Sequence, residues 1–115
     1  HQKRDTIVEE AIKSGEVSSK INREKQLRHT KTYHTPGRSY LDGDLDFAQE
    51  LVNEHGGKGI ALRDRNGKWL HKEKFDSSNV IGTHVDDTGI ETKTNKGMII
   101  YSKTGTHVYP RKEKK

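Results

Sequence analysis

Met98-Ile99-Ile100-Tyr101-Ser102-Lys103-Thr104-Gly105-Thr106-His107-Val108-Tyr109-Pro110 is the stretch that decides how the chain folds. Its opening residues are the most apolar run in the sequence, and a short apolar run bounded by turn signals marks a buried strand. Thr104-Gly105 supplies the turn. Thr106 to Tyr109 pairs back, and Pro110, which has no N–H to give a ladder, ends the strand. Alternation puts Thr106 and Val108 on one face of the return strand and His107 with Tyr109 on the other.

Upstream of this hairpin the pattern stays β. Ile60-Ala61-Leu62 leads into Asn66-Gly67, a hairpin signal, and Lys68-Trp69-Leu70-His71 returns. Val80 to Val85 is the next strand, Asp86 to Gly89 a turn, Ile90 to Thr94 a polar strand, and Asn95-Lys96-Gly97 another turn. The first half reads helical. Asp5 can cap a helix with Ile7, Val8, Ala11 and Ile12 on one face, stopped by Gly15. Ser18 or Ser19 can cap a polar second helix running towards His29. Residues 30–43, with Thr35-Pro36-Gly37 and Asp42-Gly43, read as an irregular loop. Asp44 then caps a third helix whose stripe is Phe47, Ala48, Leu51 and Val52, ended by Gly56-Gly57. Helices followed by a meander predict an α+β domain, with N-terminal helices packed on a small twisted antiparallel sheet and the third helix over one face.

With 115 residues the chain suffices for one domain. Hydrophobic residues are 27% and charged residues 34%, so the core must be thin. No apolar run approaches the length of a transmembrane helix. Cysteine is absent, which excludes disulfides, thiolate zinc sites and cysteine nucleophiles. The chain begins at His1 without an initiator Met, as expected of a fragment of a longer protein. Net charge is +5, which suits a polyanionic partner. The tail Arg111-Lys112-Glu113-Lys114-Lys115 holds four cations and one carboxylate and reads as a solvated, frayed end. The rest of the chain is then only +2, so charge alone says little about nucleic acid.

Motifs for most catalytic chemistries are missing. Asp42-Gly43-Asp44-Leu45-Asp46 opens like a calcium loop, but Phe47 stands where glycine is needed and Asn53 where glutamate is needed. His84 with Asp86 and Asp87 is explained equally well by a strand entering an acidic turn. There is no HExxH, no Gly-x-Ser-x-Gly, no Ser-x-x-Lys and no P-loop. No metal and no cofactor is expected. Two clusters remain. Tyr101, Ser102, Lys103, Thr104, Thr106 and His107 gather hydroxyls, a cation and an imidazole around one hairpin, suited to phosphate and to proton transfer. An ordinary polar hairpin explains the same pattern, and pattern alone favours it. Lys25, Arg28 and His29, followed by His34 and Arg38, form a second cationic group. There His29 can simply complement a helix dipole.

A set of segments matches a known family. They are Lys25-Gln26-x-Arg28-His29, Gly37-Arg38-Ser39-Tyr40-Leu41, Ala48-Gln49-Glu50-Leu51-Val52, Gly57-Lys58-Gly59, Asn66-Gly67-Lys68-Trp69-x-His71-Lys72-Glu73, Ile81-Gly82, and Ile99 to Pro110. Over about residues 21–110 the chain resembles the polymorphic toxin type 50 domain of bacterial polymorphic toxins and phage head-morphogenesis proteins. In the closing motif Ile100 stands where the family pattern has His, and Val108-Tyr109 where it has Ile-Val. The resemblance implies a barnase/EndoU/colicin/RelE-like fold with a ribonuclease site on the concave face of the sheet. It implies a metal-independent endoribonuclease, with tRNA a named candidate substrate, that attacks through the 2′-OH to give a 2′,3′-cyclic phosphate. It also implies a cognate immunity protein and an exported or phage-delivered effector acting in the target-cell cytoplasm.

On that basis His29 and His107 are the expected acid–base pair. Lys103 joins Lys25 and Arg28 in neutralising phosphate, and Ser102, Thr104, Thr106 and Tyr101 are hydrogen-bond donors. Arg38 belongs to the substrate-binding set, His34 is the reserve imidazole, and Tyr40 or Trp69 can stack a base, Trp69 being better suited to the core. The expected division is an N-terminal helix or linker at 1–20, the toxin domain at 21–110 and a basic tail at 111–115. The competing readings are a non-catalytic RNA- or DNA-binding module and a structural adaptor.

Overall fold

The computed structural model describes residues 5–112. Helix α1 (Ile7–Ser14) turns Val8 and Ala11 into the core. The Asp5 carboxylate accepts from the Ile7 N–H at 3.1 Å, and Gly15 ends the helix with φ at 83°, where a side chain would be strained. Helix α2 (Arg23–Leu27) is capped by Asn22, whose side chain accepts from the Lys25 N–H. It is not capped by Ser18 or Ser19, because residues 16–21 are a bent, non-helical segment and the helix begins only after Asn22. Ser18 bridges Ser102, and Ile21 pairs in parallel with Thr106.

Strand β1 (Tyr40–Leu41) lies inside the segment expected to be irregular. Helix α3 (Leu45–His55) buries Ala48, Leu51 and Val52. The carboxylate of its N-cap, Asp44, is spent on Thr32, accepting from the backbone N–H at 2.9 Å and the hydroxyl at 2.7 Å. The cap therefore pins the preceding loop. From α3, the half-buried Gln49 accepts from the Ile21 N–H and donates to the Ser19 carbonyl, each at 2.9 Å. That clamp ties residues 19–21 to α3.

The remaining strands are β2 (Ile60–Arg63), β3 (Trp69–Asp76), β4 (Gly82–Val85), β5 (Glu91–Thr94), β6 (Lys96–Ile100) and β7 (His107–Pro110). They do not form one meander. A four-stranded antiparallel sheet has the order β2-β3-β6-β7, and a separate three-stranded one has the order β1-β4-β5. The α+β class stands; the single sheet does not. After β3 the chain leaves the larger sheet, makes the β4–β5 hairpin, and returns across one residue, Asn95. That residue is locked to Ser77 in both directions: the Ser77 N–H donates to the Asn95 carbonyl, and the Asn95 amide donates to the Ser77 carbonyl. Asn95-Lys96-Gly97 is thus a crossing between sheets, with Lys96 and Gly97 already in β6.

Strand β3 is longer than expected because Glu73 and Phe75 point inward between exposed or half-exposed Lys72, Lys74 and Asp76. One core joins Val8, Ala11 and Val17 to Leu51 and Val52 of α3 and to Trp69, Phe75, Ile99 and Val108 of the larger sheet. Leu41 and Ile81 bring the smaller sheet into it. Gly97 admits the Phe75 ring against the backbone; a Cβ there would collide with it. Arg111, expected in a solvated tail, instead extends the β6–β7 ladder to Lys96 and pairs with Asp76 at 2.7 Å. Residues 1–4 and 113–115, including the rest of the expected tail beyond Lys112, lie outside the described residues.

Candidate active site

Strand β7 is an edge strand, so its outward backbone groups need partners. The chain supplies them from its N-terminal half. The Thr106 N–H donates to the Lys20 carbonyl and the Asn22 N–H to the Thr106 carbonyl. Two residues along, the fully buried Gln26 side chain takes over. Its Oε1 accepts from the Val108 N–H at 2.6 Å and its Nε2 donates to the Val108 carbonyl at 2.8 Å. The amide stands in for a neighbouring strand.

This clamp brings His29, three residues past Gln26, against the outward face of β7. The rings of His29 and His107 are stacked, with centroids 6.0 Å apart and planes 7° apart. Tyr109 completes the group, 5.5 Å from His29 and 6.4 Å from His107. Loop residues Gly37, Arg38 and Ser39 with Val85 of β4 close a cleft of about 340 Å³ around these three rings.

His29 Nδ1 lies 2.8 Å from the Ser39 carbonyl. A carbonyl only accepts, so the neutral ring carries its proton on Nδ1 and keeps the lone pair on Nε2. Ser39 is itself held: its Oγ accepts from the Val85 N–H at 3.0 Å and lies 3.2 Å from His84 Nδ1. The smaller sheet thereby sets the tautomer of a histidine packed on the larger one.

Both imidazoles are pushed towards the neutral form. Burial lowers His29, and the Arg38 and Arg28 charges add to that, opposed in part by its hydrogen bond to Ser39. His107 is driven down to about 4, first by burial, then by His29, Lys25 and Arg28. Its Nδ1 is buried without a hydrogen-bond partner among the described residues. Burial also raises the Tyr109 phenol.

The structure therefore gathers His29, His107, Arg38, Arg28 and Lys25. The other expected residues lie elsewhere. Ser102, Lys103 and Thr104 form the β6–β7 turn, which packs on residues 18–22. The Ser102 and Thr104 hydroxyls face each other at 3.1 Å, and Lys103 is exposed. Thr106 is 0% exposed and its hydroxyl accepts from the Ser102 N–H. Tyr101 is buried and donates to the Glu73 carboxylate at 2.7 Å. That carboxylate, also fully buried, accepts in addition from the Gly57 and Gly59 N–H groups. Tyr101 is thus part of the core, as is Trp69. His34 stacks on Tyr40 at 3.8 Å, with Nδ1 at the Thr30 and Lys31 carbonyls, and the Tyr40 hydroxyl donates to Glu91. This pair sits on the segment that bears Arg38 but does not line the cleft.

Four residues that sequence reasoning gave no role support the site: Gln26, Ser39, His84 and Tyr109. Tyr109 was within reach, since alternation places it beside His107. Gln26 and Ser39 fall within the segments that carry the family resemblance and His84 was weighed only beside Asp86 and Asp87, but nothing in the sequence pairs any of the three with the histidines. Among the described residues no three His, Asp or Glu side chains gather as metal ligands. The Asp86 carboxylate, near His84, is taken up by the N–H groups of Thr88 and Ile90 and the Thr88 hydroxyl.

The family model for bacterial toxin 50 matches residues 21–110. The chain belongs to that family. No curated protein and no solved structure matches it. The match to bacterial toxin 50 contains every residue of the histidine cleft, together with Gln26 and Gln49, which position it. It leaves out α1 and Val17, although Val8, Ala11 and Val17 pack in the same core. Among the described residues no helix of this bacterial toxin 50 chain is long and apolar enough to cross a membrane.

Proposed function

We propose that this bacterial toxin 50 chain is a metal-independent endoribonuclease whose acid–base pair is His29 and His107. The observation that carries the proposal is the stacked imidazole pair, with one tautomer set by Ser39, in a cleft bordered by cations. RNA brings its own nucleophile, so the protein has only to move two protons and stabilise charge. His29 Nε2 takes the proton of the 2′-OH. The oxygen attacks the adjacent phosphorus and the bond to the 5′-oxygen breaks. His107 returns a proton to that leaving oxygen. The products are a 2′,3′-cyclic phosphate and a 5′-hydroxyl.

Arg38, Arg28 and Lys25 neutralise the nonbridging oxygens. Burial and His29, with Lys25 and Arg28 adding to them, hold His107 low in the free protein; a bound phosphate opposes the cationic part of that shift and favours the proton His107 must give. Each proton transfer is worth about 10²–10⁴-fold in rate. Transfer RNA is the candidate substrate. The toxin acts as a delivered effector in a target-cell cytoplasm, and an immunity protein covering the cleft protects the producer.

The test is to incubate the protein with total RNA in EDTA and resolve products on a denaturing gel. Discrete fragments ending in cyclic phosphate are expected from wild type. His29→Ala and His107→Ala should each lose about two orders of magnitude or more in rate. Full cleavage by either variant would remove the pair from the mechanism, and RNA binding without products would favour a non-catalytic binder.

A further inference from the structure

The larger sheet has an outward face that the cleft does not use up. Register fixes its members. Tyr109 lies opposite Met98, and Met98 opposite Lys74; His107 lies opposite Ile100, and Ile100 opposite Lys72. Residues directly opposite in an antiparallel ladder share a face. Lys72 and Lys74 therefore stand on the same face as His107 and Tyr109. One step further along β6, Lys96 lies opposite Asp76 and bonds to Arg111.

At that end the face opens into a hollow of about 430 Å³ lined by Lys58, Lys74, Lys96, Arg111 and one acid, Asp76. Asp76 is occupied by Lys96 at 3.2 Å and Arg111 at 2.7 Å. Lys58 and Lys74 have no ion-pair partner among the described residues, so the hollow keeps a net positive charge.

We propose that this face is a track for the phosphodiester backbone of single-stranded polynucleotide on one side of the cleft, ending in the basic hollow. The position of the cleft as the cut site rests on the ribonuclease proposal; the track itself does not. Dimensions favour a polynucleotide. Arg111, just past the end of β7, is four residues from His107, about 13 Å at strand rise. That is about four nucleotides at the ~3.4 Å rise of a helically stacked strand, and fewer where the single strand is extended. Lys74 lies two strands across from Tyr109, about 10 Å at ordinary strand spacing. Between the cations, Met98, Ile100 and Tyr109 are half-buried and offer apolar surface to sugars and bases.

The test uses the full chain, a 12-nucleotide single-stranded RNA, its 2′-deoxy analogue that cannot be cleaved by 2′-OH attack, and a dinucleotide. Lys58→Glu/Lys74→Glu is compared with wild type, with Lys58→Gln/Lys74→Gln as the milder change. Binding of the deoxy 12-mer, read by fluorescence anisotropy, should weaken at least tenfold in the Glu variant. The slope of log K against log salt should flatten by about 1.4 in the Gln variant, as for two lost single-strand phosphate contacts. Cleavage of the 12-mer should fall with binding while the dinucleotide, too short to reach the hollow, responds far less. Wild type that binds the 12-mer in this lysine-dependent way without cutting RNA would retain the track and sink the ribonuclease proposal. Unchanged 12-mer binding in both variants would overturn the track. So would lysine-dependent capture of an acidic inhibitor protein with RNA binding intact, which would make the face a protein interface.

Discussion

His107 shows how burial and charge act together on one residue. Its ordinary pKa is about 6.5. Burial, the neighbouring His29 and the Lys25 and Arg28 charges bring it to about 4, and His29 is lowered as well. Two interacting groups titrate as a pair, and a pair that works as acid and base is active when it holds one proton. Raising pH removes that proton; lowering pH adds a second and blocks the base. With both groups displaced downward, the kcat/KM profile, which reports the free enzyme, is expected to peak on the acid side of pH 6.5. The kcat profile should peak higher, because bound phosphate raises His107. Steady-state rates on a short RNA from pH 4 to 9 check this. A kcat/KM optimum well above neutrality would contradict the assignment. Asp86 and Asp44 are shifted too, but by hydrogen bonds within their own turns and loops, and they do not face the cleft.

Among the elements, α2 is the most revealing. Five residues cannot hold a helix in water by themselves. It persists because Asn22 caps it, Gln49 clamps the segment before it, and Gln26 replaces a strand at the edge of β7. Gln26→Leu keeps the volume but leaves the Val108 N–H and C=O buried without partners. Each such group costs about 1–3 kcal/mol, so the expected loss for the two is roughly 2–6 kcal/mol in urea unfolding. Because His29 lies in the turn just after α2, cleavage should fall at temperatures where the variant is still folded. A loss within experimental error would show that water or a shifted side chain replaces the clamp.

The whole molecule is built across the boundary suggested by family resemblance. Residues before 21 lie outside the bacterial toxin 50 match, yet Val8, Ala11 and Val17 are core residues and the Lys20 carbonyl serves the β7 edge. Burying each such Val side chain contributes about 1.5–3 kcal/mol, and net stability of a small domain is only about 5–15 kcal/mol. A chain starting at residue 21 is therefore expected to lose its cooperative unfolding transition, or to melt far below the full chain, when followed by circular dichroism. An unchanged melting curve would make the N-terminal segment dispensable.

Much of the secondary structure was legible locally. The stripes of α1 and α3, the Gly15 stop, and the alternation that puts half-buried His107 and Tyr109 on one face and buried Thr106 and Val108 on the other follow from the periods 3.6 and 2. These periods depend only on neighbours along the chain. The same alternation already turned Thr106 inward, against its use as a donor to substrate. Strand β1 escaped because two residues carry no period, and the two-sheet arrangement escaped because pairing is chosen between segments. Glu73, a charge that sequence patterning places in solvent, is buried because Tyr101 and two glycine N–H groups satisfy it from distant positions. By itself the sequence determined the α+β class, the helix stripes, the strand faces and a family. Only the tertiary structure decided that His29 meets His107, that Ser39 sets a tautomer, and that the lysines of β3 share a face with the cleft. Those depend on which backbone edges remain unpaired after the sheets form, and unpaired buried groups must find partners wherever the folded chain brings them.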